Sequence, residues 1–358
     1  MSTRVVHVAS GREWRGGQRQ VWLLARELER LGGVAQVVVT GGGTELARRL
    51  RSDGVTVREA PWSMGLDPRV CGAILAALRG SGALLHAHDG HAIILAGLCA
   101  SLAGCPLVAT RRVAFHLRHR GYWARATRVI AVSQAVASVL EQDGIPPERI
   151  RVVHSGIALE IALAAKPLGI RARLGLPPDA GIAASVGSLE PEKDHPTLFR
   201  AAKILEARHP QLHWVVAGAG REQPALERLR EDLGLHHRVH LLGQVDEPMG
   251  LIVDANVFVM SSRDEGLGTS VLDAMALGTP VASTSAGGVP EMLTDGSGLL
   301  VSPGDSRALA GAVSQILDDS ALRRSLIENA WTAVRRFSAD RMAGEVRNVY
   351  RSCAHFLD

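Results

Sequence analysis

The strongest constraint on the fold is a beat in the sequence: short β-branched runs alternate with stretches whose apolar residues return at helical spacing. "RVVHVA" (Arg4–Ala9) leads into the helix-period run Gln18–Leu31, and then come "AQVVVT", a second helical run after Thr44, and "VTVREA". Strand, helix and strand in repetition make βαβ units, whose strands run parallel. The first helical run puts Val21, Leu24, Ala25, Leu28 and Leu31 on one face and stops at Gly32-Gly33, so its apolar stripe and its stop signal agree. The beat lapses over Glu160–Ala180, rich in Ala, Pro, Gly and Arg, which reads as an inter-domain connector. It restarts with "IAASVG", "HWVVAG", "RVHLLG", "NVFVMS", "PVAST" and "GLLV". The sequence therefore predicts an α/β protein of two doubly wound, Rossmann-like domains facing each other across a central cleft. Residues 1–165 are assigned to the first domain, 166–338 to the second, and 339–358 to a C-terminal helix returning to the first.

Composition narrows the class. With 358 residues, 46% hydrophobic and 21% charged, the chain is an ordinary globular one, long enough for two domains. A net charge of +4 is too small to argue for nucleic acid, and no RNA-binding motif accompanies it. Cys71, Cys99, Cys105 and Cys353 show neither CxxC pairing nor metal-ligand spacing, as expected of buried free thiols in a reducing cytosol. "MSTRVVHVAS" is too short an apolar stretch for an export signal, so a cytoplasmic protein is expected. The uncharged run Ala92–Ala109 approaches spanning length, but Gly97, Ser101, Gly104 and Pro106 interrupt it. A buried helix from about Gly90 to Ala103, a turn and a buried strand "PLVAT" account for the same letters.

Ligands of open α/β sheets bind beyond the carboxyl ends of the strands. In "SGREWRGGQRQ", Gly16 and Gly17 open a helix whose free N–H groups can meet an anion; paired glycines also make plain tight turns. Neither GxGxxG nor GxxxxGK[ST] is present, which argues against the common dinucleotide and P-loop sites. "SSRDEGLGTSVLDAMALGTP" is more specific: Glu265 leads into Gly266, Leu267, Gly268, Thr269 and Ser270 at a helix start, with Asp273 inside the helix. The two carboxylates suit acceptance of sugar hydroxyl hydrogens. The competing reading makes Ser270-x-x-Asp273 a capping box, which leaves Glu265 unexplained. His86, His88 and His91 cluster at a strand end, yet no carboxylate or cysteine set completes a metal site, and none is expected. Arg111–Arg128 is basic, interleaved with Phe115, Tyr122 and Trp123, and free of acids. It reads either as a solvated face or, through Arg111, Arg112, Arg118 and Arg120, as a surface for an acceptor or an anionic membrane.

"EGLGTSVLDAMALGTPVASTSAGGVPEML" resembles the signature of the family 4 retaining glycosyltransferases, which have the GT-B fold of two facing Rossmann-like domains. The likeness extends over "RGGQRQVWLLARELERLG", "LLHAHDGHA", "VIAVSQAV", "VVHSGIAL", "SVGSLEPEKDHPTL", "VVAGAGRE" and "GLLVSPGD". It implies a sugar moved from a nucleoside-diphosphate sugar to a glycan or lipid-linked acceptor with retention of configuration, without metal or other cofactor. By residue, it implies Glu265 on the donor sugar's hydroxyls and Asp273, where the family has Glu, on the ribose. Lys193 would hold the diphosphate, with Ser188 in place of the family's arginine, and His88 would lie near the transferred sugar. His91, Arg221 and Val245, the last in the "LLGQVDE" turn near the base, are further candidates. The same features leave room for a nucleotide-sugar epimerase of this fold or a non-catalytic sugar-nucleotide-binding module. On the first reading the enzyme works at the inner face of the cytoplasmic membrane.

Overall fold

The computed structural model describes residues 3–62, 67–79 and 82–354. The chain divides into two compact units, Met1–Ala158 with Phe337–Asp358, and Leu159–Arg336.

The first unit has seven strands: β1 (Thr3–Ala9), β2 (Val34–Gly41), β3 (Val57–Ala60), β4 (Ala83–Ala87), β5 (Leu107–Arg111), β6 (Arg128–Ala131) and β7 (Ile150–Val152). Between them run α1 (Gly16–Leu31), α2 (Glu45–Ser52), α3 (Pro68–Ala77), α4 (Ala92–Ala103) and α5 (Gln134–Gln142). All neighbours pair parallel, in the order β3-β2-β1-β4-β5-β6-β7. The order reverses between β1 and β4, and there the exit loops part and leave a crevice beyond the strand ends. Helices cover both faces of such a sheet, which is why β4 and β5 are buried at every residue.

The second unit repeats the plan with β8 (Gly181–Val186), β9 (Leu212–Ala217), β10 (Val239–Leu241), β11 (Val257–Met260), β12 (Val281–Thr284) and β13 (Leu299–Val301). Its order is β10-β9-β8-β11-β12-β13, also parallel, and reverses between β8 and β11. The helices are α6 (Leu159–Leu163), α7 (Ile170–Arg173), α8 (His195–Leu205), α9 (Gln223–Asp232), α10 (Pro248–Asp254), α11 (Thr269–Ala276), α12 (Val289–Met292), α13 (Ser306–Asp318) and α14 (Ser320–Val334). Trp214, Phe199 and Phe258 are fully buried around its sheet. The chain ends in α15 (Ala339–Ala354), which packs against α1 in the first unit. The last four residues of the expected C-terminal helix lie outside the described residues.

One expectation is corrected. The stretch 160–180 is no free connector: Ala162 and Ile170 are buried, Leu168 N–H donates to Gly250 O at 3.1 Å, and Arg171 Nη2 reaches Asn256 Oδ1 at 3.0 Å. Two helices too short to show a period carry it along the second unit. The uncharged run carries the expected helix, Ala92–Ala103, which ends at Gly104 in the left-handed region before β5. No helix among the described residues is long and apolar enough to cross a membrane.

Candidate active site

At the reversal point of the second sheet, the loop after β8 meets the loop after β11. The first runs through Ser188 to a 3₁₀ turn at Pro191–Lys193; the second runs from Ser261 to Gly268. Lys193 Nζ donates to Glu265 Oε1, and Ser262 Oγ donates to the same oxygen at 2.9 Å. Ser261 Oγ donates to Lys193 O at 3.0 Å and Arg263 N–H to Glu192 O at 2.8 Å, so the two loops are sewn together along their backbones. Glu265 is 7% exposed and the Lys193 side chain 23%. The carboxylate is thus presented from a nearly dry wall with one oxygen already held.

Glycines make this approach possible. A Cβ on Gly287, whose φ is +50°, would lie 1.7 Å from Glu265 O, and one on Gly218 would lie 1.8 Å from Gly187 O. Both are backbone contacts that no side chain tolerates. Gly268, at φ +87°, turns the chain into α11 without a side-chain cap; Val271 N donates to Gly268 O at 2.9 Å, and the Thr269 and Ser270 N–H groups ahead of it can meet an oxyanion. This corrects the capping-box alternative: Gly268 occupies the N-cap position, and Ser270 already stands inside the first turn. Asp273 follows on α11 and is 5% exposed; Gly266 and Leu267 are buried, and Thr269 and Ser270 half-buried. Ser188 is half-buried in the β8 loop. Arg221 lies 70% exposed in an ion pair with Glu190 at 3.0 Å, away from the carboxylate pair's hydrogen bonds. Val245 packs beside the Ile182–Val215 cluster.

The first sheet's reversal point holds a different group. His7 on β1 and His88 after β4 are joined by Nδ1···Nε2 at 2.9 Å. His86 Nδ1 meets Tyr350 Oη at 2.6 Å, and its Nε2 meets Thr110 Oγ1 at 2.7 Å. Burial holds all three imidazoles neutral, with His7 lowered to about 3 and His86 and His88 well below the ordinary value. His7, His86 and His88 bring one ring nitrogen each within 4.8 Å of one another. Those of His86 are both engaged with hydroxyls, and a cation there would sit beside the positive charge of Arg112. The arrangement is a hydrogen-bonded imidazole stack.

His88, expected near the transferred sugar, is 2% exposed, and its Nδ1 is buried without a hydrogen-bond partner among the described residues. His91 is exposed at the start of α4. Asp89 between them was not singled out in the sequence. It accepts from Ser10 N at 2.8 Å and Ser10 Oγ, and from His91 N at 3.1 Å and Ala92 N at 2.8 Å. It thereby ties the loop before α1 to the start of α4. An aspartate just ahead of a helical run was the available signal. Gly16, exposed, and Gly17, half-buried, open α1 from that same strand-end rim, with no side-chain cap.

The arginine-rich segment splits. Arg111 is no surface residue: it ends β5, is 8% exposed, donates Nη2 to Phe115 O at 2.6 Å and lies 5.5 Å over the buried Trp123 ring. Tyr122 packs onto Gly97 of α4, where an added Cβ would overlap the ring. Arg112 is half-buried, while Arg118, Arg120 and Phe115 are exposed.

Two parallel-sheet units, each with its polar groups gathered where the strand order reverses, define the GT-B class of fold. Solved structures agree: the Anabaena protein Alr3699/HepE, crystallised with UDP and glucose, superposes at a TM-score of 0.84 with 21% identity, covering 98% of this chain and 100% of that one. Sucrose-phosphate synthase from Thermosynechococcus elongatus does so at 0.76 with 22% identity, covering 98% of each. The family model "Glycosyltransferase Family 4" matches residues 14–161, and "Glycosyl transferases group 1" matches 169–332. The chain belongs to the family 4, group 1 glycosyltransferases. Among relatives, it is 38% identical over 172 residues to the lipopolysaccharide core biosynthesis glycosyltransferase LpsE of Rhizobium meliloti, covering 48% of this chain and 49% of that protein. It is 33% identical over 240 residues to the D-inositol 3-phosphate glycosyltransferase of Thermobispora bispora, covering 63% and 56%. The chain thus spans about half the length of these relatives.

Proposed function

We propose that this chain transfers a sugar from a nucleoside-diphosphate sugar to a glycan or lipid-linked acceptor, with retention of anomeric configuration. The observation that carries the reading is the Lys193–Glu265 pair at the second unit's reversal point, directly ahead of an uncapped helix start. Glu265 offers a fixed carboxylate to sugar hydroxyls, and Asp273 lies on α11 for the ribose. Lys193 and the first N–H groups of α11 stabilise the departing diphosphate. The bond between anomeric carbon and diphosphate breaks through an oxocarbenium-like transition state, as in other glycosyl chemistry. The Anabaena neighbour's UDP and UDP-glucose complexes support a uridine-diphosphate donor.

The first unit serves the acceptor side, with His88 near the transferred sugar and the exposed His91 as the second candidate. Relatives named for lipopolysaccharide core and inositol phosphate support a membrane-linked glycan or a phosphorylated polyol as acceptor. The work is placed in the cytoplasm, at the inner membrane face.

A panel of nucleotide sugars screened for thermal stabilisation identifies the donor, since a ligand of the native state raises apparent stability. Product analysis with acceptor then tests transfer. Isomerised donor formed without acceptor would make the chain an epimerase; stabilisation with neither transfer nor hydrolysis would make it a binding module. Glu265→Gln at saturating donor should abolish most of the transfer while the fold stays intact.

A further inference from the structure

We infer that Arg112 in the first unit is a receptor for an oxyanion, a phosphate or carboxylate group carried by the acceptor. The inference rests on the first unit's acceptor-side role proposed above. Arg112 directly follows β5, at the carboxyl edge of the sheet and beside β4, where ligands of such sheets bind. It makes no hydrogen bond and no ion pair with any described residue, and its Nε is buried without a partner. Of the guanidinium's five N–H donors, the one on Nε is buried without a partner, and an unmet buried donor beside a charge is costly.

The neighbouring imidazoles and phenol do not compensate it. His7, His86 and His88 are neutral, and Tyr350 keeps its proton because burial pushes its hydroxyl well above the usual range. Asp89 is the carboxylate whose charge Arg112 feels, and its oxygens already accept four hydrogen bonds from Ser10, His91 and Ala92. Burial lowers the guanidinium itself to about 10. A planar, doubly hydrogen-bonding oxyanion would satisfy both the charge and the donors. The contrast with its neighbours is sharp: Arg111 donates to Phe115 O, whereas Arg118 and Arg120 are exposed to solvent.

The test titrates the full-length chain with inorganic phosphate, and separately with acetate, at constant ionic strength, following the anion by NMR line broadening. The wild type should bind at least one anion saturably. Arg112→Gln should weaken that binding by roughly tenfold or more, Arg118→Gln should leave it unchanged, and Arg112→Lys should fall between. Tighter phosphate than acetate assigns a phosphoryl group on the ligand; the reverse assigns a carboxylate. A readout free of mutation is protection of Arg112 from phenylglyoxal by the bound anion, mapped by mass spectrometry in the wild type. Binding unaffected in a folded Arg112→Gln variant, no saturable binding of either anion, or no protection of Arg112 overturns the inference. Donor stabilisation is measured in parallel: its absence in the wild type would defeat the donor reading and leave Arg112's anion binding standing.

Discussion

Lys193 and Glu265, 72 residues apart, share a hydrogen-bonded ion pair in which the lysine and Ser262 Oγ converge on one carboxylate oxygen. The two residues expected to serve different parts of the donor are therefore held by each other before any donor arrives. Removing either partner strands a charge in a place that is mostly dry. The single variants Lys193→Met and Glu265→Gln should each lose stability, and the double variant should lose less than their sum. A coupling of about 0.5–3 kcal/mol is expected, measured by urea unfolding; strict additivity would show that the pair does not exist in solution. Lys193→Met should also reduce transfer by roughly 3–4 kcal/mol of transition-state stabilisation.

Ser188 stands where the family has a second cation, in a loop held by the close approach of Gly218 to Gly187. Ser188→Arg should keep transfer intact and tighten donor binding, because a guanidinium there adds charge-assisted hydrogen bonds to the diphosphate. Calorimetric titration with donor checks this, and weaker binding would mean that the loop lies elsewhere than at the phosphates.

Gly287→Ala should destabilise the second unit by about 2 kcal/mol or more. Its positive φ disfavours a side chain, and the new Cβ would overlap Glu265 O. The substitution should also displace Glu265, so donor stabilisation is lost with it. Gly311→Ala, on α13 with open space around it, is the control and should raise stability by about 0.5–1 kcal/mol.

Acid should unfold the protein well above the carboxylate range. His7, held near 3, and His195 and His240, held near 4, stay neutral when folded but protonate near 6.5 once unfolded. The unfolded chain then binds more protons, so stability is complete above about pH 6.5 and falls as pH drops toward 4. Each group fully kept from protonating contributes a slope of about 1.4 kcal/mol per pH unit below its unfolded pKa. Urea midpoints at pH 7.5, 6.5, 5.5 and 4.5 should decline progressively; a flat profile down to 4.5 would show these imidazoles to be solvated.

Arg118, Arg120 and Phe115 remain exposed after Arg111, Tyr122 and Trp123 are taken into the first unit's packing. Weak, salt-sensitive attachment to anionic vesicles should follow, at about 1 kcal/mol per basic residue at the surface. Liposome flotation at low salt checks it. Equal recovery on neutral and anionic vesicles, or none on either, would leave the segment a solvated face.

What the sequence alone discloses follows from local chemistry. The runs that became β9, β11 and β12 are buried at every residue, and a strand buried on both faces must be apolar along its length; the glycines that end "IAASVG", "HWVVAG" and "RVHLLG" mark turns. α1 was legible from its stripe and its Gly32-Gly33 stop, and the Glu265–Asp273 stretch from its unusual order of acid, glycines and hydroxyls. The connector was misread because α6 and α7 are too short to show a period, and their burial depends on partners such as Gly250 and Asn256 far along the chain.

The sequence by itself determined the parallel α/β architecture, the family and the residue types at the strand ends, since these depend on periodicity and on contiguous motifs. Only the tertiary structure decided which of those residues meet. It paired Lys193 with Glu265, buried His88 against His7, left His91 exposed and buried Arg112 Nε away from any acceptor among the described residues. The physical reason is that strand order places β1 beside β4 and β8 beside β11, joining loops that are distant in the chain. Burial then sets the charge and the reach of each side chain, and burial is a property of neighbours that no local stretch of sequence contains.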